Sequence, residues 1–187
     1  EDKDKLRKLN SELSLLGVKF GENLLAETND FTMVIDNEQD LSGLPEGIRA
    51  QAAAAARAKG MEGKWLFTMQ APSYFPFMTY ADNRALREKM FRGYSMRGNN
   101  GNEHDNNQIL ADIIRLRVEK ANLLGYKSHA AYVLERNMAK TPEKVLDFLG
   151  QIWEAALPVA KAEAAAQQEL IDREGGKFKL EPWDWFY

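Results

Sequence analysis

Two histidines are the residues in this 187-residue sequence best suited to metal binding or proton transfer, and their contexts differ. His104 lies in Asn102-Glu103-His104-Asp105, beside two carboxylates, so a metal site there is one interpretation. The favoured interpretation is a polar loop that leads into a helix N-terminus, where acidic residues stabilise the helix dipole. His129 follows Ser128 at a predicted helix start, which favours a capping or packing role over catalysis.

Other sequence patterns that carry chemistry are absent. The chain contains no H-E-x-x-H zinc motif, no glycine-rich phosphate loop and no G-x-S-x-G nucleophile elbow. Glu169 and Asp172 are three positions apart on a predicted helix, but Lys161 and Arg173 are close in sequence, as on a solvated face. We therefore assign no catalytic residue, no cofactor-binding residue and no metal ligand within residues 1–187.

Arginines and aromatic residues cluster near the centre of the chain. The arginines could pair with carboxylates of neighbouring helices or reach a substrate carboxylate or backbone, and pairing at the surface is the commoner outcome. The aromatic residues more often form core than a ligand platform. The four arginines are Arg84, Arg87, Arg92 and Arg97, and the aromatic stripe is Tyr74, Phe75, Phe77 and Tyr80.

Composition limits the class of protein. The net charge is −3 with both signs interspersed, which argues against an electrostatic nucleic-acid interface. Cysteine is absent, so neither a disulfide framework nor thiol chemistry is expected. No apolar run approaches membrane-spanning length and no secretory signal is visible. The length suits one sizeable domain core or a large piece of a bigger one.

Apolar periodicity predicts a mostly α-helical fold. Residues such as Leu6, Leu9, Leu13 and Leu16 recur three or four positions apart, as on one face of an amphipathic helix. Pro158 falls inside the longest predicted helix, where it predicts a kink or two abutting helices at a cost of about 3 kcal/mol. The predicted helices lie between Leu6 and Asp30, Pro45 and Gly60, Leu86 and Gly98, Ile109 and Gly125, Ser128 and Met138, and Thr141 and Gly175.

The stretch from Lys64 to Asn83 departs from this helical pattern. Its side chains alternate with a period of two, which predicts a β-strand that pairs with the β-prone run 31–35. Pro72 and Pro76 disfavour a helix, so an open turn and a second short strand or extended run are expected through residue 80. Asp82 is predicted to cap the next helix. The fold class is thus mostly α, with a two- or three-stranded β element around 31–35 and 64–80.

Both ends of the sequence indicate a piece cut from a longer protein. No initiator Met is present, and the last residues form an aromatic cluster that calls for burial. We expect the isolated chain to associate with itself through this cluster. Its members are Trp183, Trp185, Phe186 and Tyr187.

Several ordered motifs resemble one family of enzymes. The sequence is similar to the thimet oligopeptidase family of zinc metallopeptidases, above all to its peptidyl-dipeptidase (dipeptidyl carboxypeptidase) branch. The resemblance covers nearly the whole chain and keeps the order of the motifs. They are L-S-G-L-P at 41–45, the run at 64–89, R-G-N-N-G-N-E-H-D-N at 97–106, the helix at 109–126, M-A-K-T-P at 138–142 and P-W-D at 182–184.

The resemblance implies a large, mostly helical, two-lobed peptidase with a deep channel. In that family, zinc is held by H-E-x-x-H and a downstream Glu, and the Glu of the motif acts as general base on the metal-bound water. Residues 1–187 lack this motif, so they are expected to form one helical fragment that supplies scaffold and channel wall, binds no catalytic zinc and is inactive alone.

The parent protein would cleave short peptides, releasing C-terminal dipeptides, although an endo-acting oligopeptidase is not separated by these motifs. The cytoplasm is the expected compartment, with the periplasm as the alternative. The competing interpretation is a helical interaction or scaffold module with no peptidase activity.

Overall fold

The computed structural model describes residues 1–187, which form seven α-helices, two β-strands and two short 3-10 helices. The mostly helical class and the small β element predicted from the sequence are confirmed. The 3-10 helices are Glu38–Leu41 and Pro182–Asp184. The other elements are α1 (Asp2–Asp30), β1 (Thr32–Ile35), α2 (Glu46–Ala58), β2 (Trp65–Thr68), α3 (Ala71–Tyr80), α4 (Arg84–Ser95), α5 (Asn107–Leu123), α6 (His129–Leu134) and α7 (Pro142–Arg173).

The two strands pair, as the sequence predicts, and the structure shows that the sheet is antiparallel. Met33 lies opposite Phe67, and Ile35 lies opposite Trp65. Met33 and Ile35 face the core, whereas Val34 between them is 39% exposed. This alternation is the period-two pattern of a strand with one buried face.

The prediction of an extended run after Pro72 is wrong, because residues 71–80 form the helix α3. Pro72 lies in the first turn, where the missing N–H would have no helical partner in any case. Pro76 is inside the helix and removes one hydrogen bond. Burial of Tyr74, Phe77 and Met78 on one face, at 3%, 0% and 0% exposure, outweighs that loss.

The predicted cap of α4 at Asp82 is also wrong, by one residue. The side chain of Asn83 accepts a hydrogen bond from the N–H of Leu86 at 3.2 Å and caps the helix. Asp82 instead accepts hydrogen bonds from the hydroxyls of Ser42 at 2.5 Å and Tyr187 at 2.8 Å. Its carboxylate therefore joins three separate segments of the chain.

Backbone contacts divide the chain into two compact units. The first, here called the core unit, comprises Gly21–Asn107 with Glu181–Tyr187. Its hydrophobic core gathers side chains from both strands, α2, α3, α4 and the C-terminal segment. Phe67 and Phe77 meet edge to face at its centre, with ring centroids 4.7 Å apart. This unit buries its own apolar face without help from the remaining residues.

The second, here called the helical unit, comprises Glu1–Phe20 with Gln108–Leu180. Its longest helix, α7, begins at Pro142 after a Thr141 cap whose hydroxyl accepts the N–H of Lys144 at 3.3 Å. The helix is assigned without a break across Pro158, so two abutting helices do not form there. None of its residues is buried.

Candidate functional site

A buried carboxylate in the core unit holds the loop that joins α4 to α5. Glu27, on α1, is 7% exposed. Its oxygens accept the backbone N–H of Gly98, the amide of Asn100 at 2.9 and 3.0 Å, and the amide of Asn102 at 2.7 Å. These four residues are called the Glu27 cluster below.

The hydrogen bonds of the cluster keep Glu27 ionised. Burial alone would raise the pKa of this carboxyl, but the donors from Asn100, Gly98 and Asn102 outweigh it, and the pKa lies below its ordinary value. A general acid or base at neutral pH needs a pKa near the working pH. Glu27 therefore suits the role of a structural anion and not that of a proton carrier.

Beside the cluster lies an open cleft of about 320 Å³ that contains His104. The Nε2 atom of His104 is 3.8 Å from a carboxylate oxygen of Asp30 and 3.7 Å from one of Glu103. Both distances are longer than a hydrogen bond. The side chains of Asp30 and Glu103 are largely exposed, at 73% and 86%. The cleft is lined by Glu27, Asp30, Phe31, Met69, Gly93, Arg97, Asn100, Asn102 and His104.

The donor set of the chain does not fit a catalytic zinc ion. No group of three or more His, Asp or Glu side chains is arranged to hold a metal. His104 belongs to the core unit and His129 to the helical unit.

His129 lies at the first position of α6, where Ser128 caps the helix as predicted by accepting the N–H of Ala131 at 3.1 Å. The Nδ1 atom of His129 is buried without a hydrogen-bond partner. Burial, followed by the positive charges of Arg117 and Lys120, lowers the pKa of the imidazole. The ring is therefore neutral at physiological pH, and no nucleophile or carboxylate is paired with it.

A second polar cluster, here called the Asp184 clamp, fastens the C-terminal segment of the core unit to α4. The Asp184 carboxylate accepts Arg84 Nε at 3.0 Å and Nη2 at 2.9 Å, and Arg87 Nη2 at 3.0 Å. Arg87 also donates to the carbonyls of Ala81 at 2.7 Å and Trp183 at 3.2 Å. Arg87 is only 2% exposed, and each of the three nitrogens of its guanidinium donates a hydrogen bond within the core unit.

Burial would raise the pKa of Asp184, but hydrogen bonds from Arg84, the backbone N–H of Glu181 and Arg87 outweigh it. The pKa of Asp184 therefore lies below its ordinary value, and the carboxylate is charged at neutral pH. A buried pair of this kind is costly to break, because the partner charge would remain out of water.

The four arginines singled out in the sequence thus have different surroundings. Arg92 pairs with Glu88 at 2.7 Å on the surface, as the sequence favoured. Arg97 donates to the Thr28 hydroxyl at 2.8 Å and lies 3.8 Å from the centre of the Tyr94 ring. Surface pairing is wrong for Arg87, because Asp184 lies 97 positions away in sequence and is buried with it.

The aromatic stripe also divides. Tyr74 and Phe77 belong to the core, as predicted, but Phe75 and Tyr80 are 45% and 48% exposed. In the C-terminal cluster, the expectation that Trp183 requires burial by residues beyond this chain is wrong. Its side chain is 7% exposed, and its ring centroid lies 6.0 Å from that of Phe91. Trp185, Phe186 and Tyr187 remain exposed, at 44%, 50% and 60%.

Sequence reasoning did not single out Glu27 or Asp184. Glu27 meets its loop partners more than 70 positions away, and no local pattern reports such a contact. The only available signal for Asp184 was its place in the P-W-D motif at 182–184. The contacts of both residues hold separate segments of the core unit together.

The helical unit presents an exposed apolar face in place of a polar site. This face lies along α7, where Phe148, Ile152 and Val159 are 62%, 49% and 57% exposed. It also includes Gln151, Ala155, Ala156, Ala160 and Glu163. No helix in either unit has both the length and the apolar character needed to span a membrane.

Comparison with known proteins links the chain to peptidases. A sequence model of peptidase family M3 matches residues 77–187. Oligopeptidase A of Escherichia coli is 39% identical over 100% of this chain and 28% of its own length. Oligopeptidase A of Haemophilus influenzae is 40% identical, over 93% of this chain and 26% of its own length. Dipeptidyl carboxypeptidase of Escherichia coli is 36% identical, over 100% and 27%. The chain thus spans little more than a quarter of the length of these relatives.

Proposed function

The chain belongs to peptidase family M3, and from that premise we propose that it is part of a zinc-dependent peptidase that hydrolyses short peptides. The observation that carries this proposal is the 39% identity to oligopeptidase A across 100% of the chain. Dipeptidyl carboxypeptidase, at 36% identity over the same extent, supports the same class of reaction.

Within such an enzyme, residues 1–187 would supply scaffold and one wall of the substrate channel. Their two buried polar clusters support this role, because all the hydrogen bonds described for them hold segments of the chain together. Metal binding and activation of water would belong to an H-E-x-x-H motif and a further Glu outside these residues.

For specificity, we propose release of C-terminal dipeptides, on the motifs shared with the peptidyl-dipeptidase branch. The slightly higher identity to oligopeptidase A, 39% against 36%, favours cleavage at internal bonds as the second candidate. The two candidates predict different products from one substrate. Short peptides would be the partners in both cases, and the cytoplasm would be the compartment, with the periplasm as the alternative.

The test is product analysis with the full translation product of the gene that encodes residues 1–187. An oligopeptide is offered with a free or an amidated C-terminus, with and without zinc chelation, and the products are identified by mass spectrometry. Dipeptides from the free form alone would support the first candidate. Internal fragments from both forms would support the second.

If neither peptide is cleaved in a chelator-sensitive way, the proposal is overturned. That result would favour the competing class, a helical interaction or scaffold module without peptidase activity. The coding sequence beyond Tyr187 gives an independent readout, since the proposal requires an H-E-x-x-H motif there.

We also propose that the isolated chain associates with itself through its exposed C-terminal aromatics. Trp185, Phe186 and Tyr187 form this surface, and Phe186 contacts Phe75 at 6.2 Å between ring centroids. Light scattering at increasing concentration checks it, and a mass that stays at one chain would contradict it.

A further inference from the structure

The loop held by Glu27 contains a pair of residues with chemistry of its own. Asn100 and Gly101 form the single Asn-Gly pair of the sequence. The backbone nitrogen that follows an asparagine can attack the side-chain amide carbon, and a glycine obstructs this attack least because it has no Cβ. The pair is exposed and lies in a turn between α4 and α5.

Both reacting groups are engaged in hydrogen bonds with carboxylates. The Asn100 amide nitrogen donates to both oxygens of Glu27, at 2.9 and 3.0 Å. The backbone N–H of Gly101 donates to Asp105 Oδ2 at 2.8 Å. Gly101 has a φ of +64°, and a Cβ built there would meet nothing within 4 Å.

We propose that Asn100 is a site of spontaneous deamidation, that Glu27 restrains this reaction in the folded chain, and that the product disrupts the Glu27 cluster. The proposal is independent of any peptidase activity. It assigns to Glu27 the protection of a covalent bond in addition to its role in holding the loop.

The reaction needs no enzyme and no reagent other than water. The Gly101 nitrogen attacks Asn100 Cγ, so that an N–Cγ bond forms while the Cγ–Nδ2 bond breaks. The side-chain nitrogen leaves as ammonia and takes the proton of the Gly101 N–H. Water then opens the five-membered succinimide at Cγ to give aspartate, or at the main-chain carbonyl carbon to give isoaspartate.

The fold opposes the first step at both ends. The Asn100 side chain must leave Glu27 before its Cγ can turn toward the Gly101 nitrogen. The Gly101 N–H must also leave Asp105. Because the Asn100 bonds reach a charged acceptor that is itself buried, they are the stronger restraint.

Deamidation of Asn100 turns an attraction to Glu27 into a repulsion. An aspartate or isoaspartate at position 100 presents a carboxylate to the buried Glu27 carboxylate, where one amide nitrogen had donated to both oxygens. Like charges at this distance repel, and Glu27 keeps only Gly98 and Asn102 as donors. The isoaspartate form also lengthens the main chain by one carbon, which displaces the turn that precedes α5.

Peptide mapping by mass spectrometry tests the restraint. The chain is incubated at mildly alkaline pH, and the mass gain of about 1 Da in the peptide that contains Asn100 is followed over time. We expect Glu27→Gln to react several-fold faster than the native wild-type chain and to approach the rate of wild type in urea. Gly101→Ala should react far more slowly in urea than wild type does, which assigns the reaction to this pair.

Loss of stability alone could also expose the loop, so a matched variant is needed. Met90→Ala weakens the same core unit, where Met90 is 0% exposed, but leaves Glu27 and Asn100 in place. Below the melting temperature of both variants, Met90→Ala should keep the wild-type rate. Equal rates for Glu27→Gln and native wild type, or for native and urea-treated wild type, would overturn the proposal.

The consequence of the reaction is tested with a charge-matched pair of substitutions. Asn100→Asp mimics one product, and Asn99→Asp adds the same charge one residue earlier. In the wild-type chain, Asn99 Oδ1 accepts a hydrogen bond from the Asn107 amide at 2.7 Å, and an aspartate at position 99 keeps that acceptor. We expect a lower melting temperature for Asn100→Asp than for Asn99→Asp. Equal melting temperatures would show that the product does not disturb the cluster.

Discussion

The core unit and the helical unit treat their apolar side chains differently. In the core unit, Phe67 and Phe77 are 1% and 0% exposed at the centre of a cluster that includes residues of both strands and of three helices. In the helical unit, α7 has no buried residue, and Phe148 and Trp153 are 62% and 63% exposed. The core unit is therefore closed by its own residues, whereas the helical unit carries an apolar face that its own residues leave uncovered.

Charged residues follow the same division. In the core unit, Asp184 and Arg87 are buried together and have several partners each. In the helical unit, Arg115 pairs with Asp112 and Glu119 along one helix at the surface. Buried pairs are costly to break, whereas exposed pairs contribute little to stability. Matched substitutions should therefore lower the free energy of unfolding more in the core unit than in the helical unit.

The largest contrast is expected from a pair of phenylalanines. Phe77→Ala removes a fully buried ring and should lower the free energy of unfolding by about 3–5 kcal/mol. Phe148→Ala removes an exposed ring and should change it by less than about 0.5 kcal/mol. Urea unfolding measures both, and hydrogen exchange shows which unit is affected. Equal losses would contradict the division.

The buried clamp should give the next effect. Asp184→Ala leaves Arg87 without its carboxylate in a buried site and should cost about 3 kcal/mol, near the lower end for a broken buried pair. The control is Asp112→Ala, whose pair with Arg115 is exposed to solvent and screened, so this change should leave stability nearly unaltered. A cost below 1 kcal/mol for Asp184→Ala, read from urea unfolding, would mean that the clamp is not a buried charge pair in solution.

Acid should destabilise the core unit before the helical unit. The pKa values of Glu27 and Asp184 are lowered in the folded chain, so the unfolded chain binds protons more readily. Their stabilisation is present above the ordinary carboxyl pKa of about 4 and is lost as the pH falls through the folded values. Hydrogen exchange between pH 6 and pH 3 measures this.

In that experiment, protection of β1 and α3 should fall more steeply than protection of α7. Glu27→Gln removes one of the two carboxylates, so this variant should show a shallower dependence on pH in the core unit. The exposed carboxyl of Asp112 in the helical unit also has a lowered pKa. An identical slope in both units would therefore contradict a larger contribution from the buried Glu27 and Asp184.

The smallest effect is expected from the exposed face of α7. Phe148→Ser with Trp153→Ser should leave the free energy of unfolding nearly unchanged, because both side chains are already in water. The same double variant should reduce binding of a fluorescent apolar dye. Unchanged dye binding would indicate that this face is not the main apolar surface of the chain.

Local patterns were sufficient wherever the deciding contacts are local. The caps at Ser128 and Thr141 and the pairing of 31–35 with the Trp65 strand all followed from residue type and period. The six helices predicted from period and caps lie where they were expected, within a few residues. These features depend on hydrogen bonds within a turn or on the spacing of apolar residues.

Residues 71–80 show where such patterns fail. Pro72 and Pro76 argued for an extended run, but Tyr74, Phe77 and Met78 fit one face of a helix. Tertiary burial decided between the two, and it overrode the penalty at Pro76. In the same way, Glu27 and Arg87 acquire their roles from partners more than 70 positions away, which a single sequence does not reveal.

The central claim is that residues 1–187 build structure for a peptidase whose metal and general base lie elsewhere. Its most direct test is to give the purified chain one equivalent of zinc and an oligopeptide with a free or a blocked C-terminus. We expect both peptides to remain intact and zinc not to bind stoichiometrically. Zinc-dependent cleavage, or one tightly bound zinc per chain that is lost in a His104→Ala or His129→Ala variant, would contradict the claim.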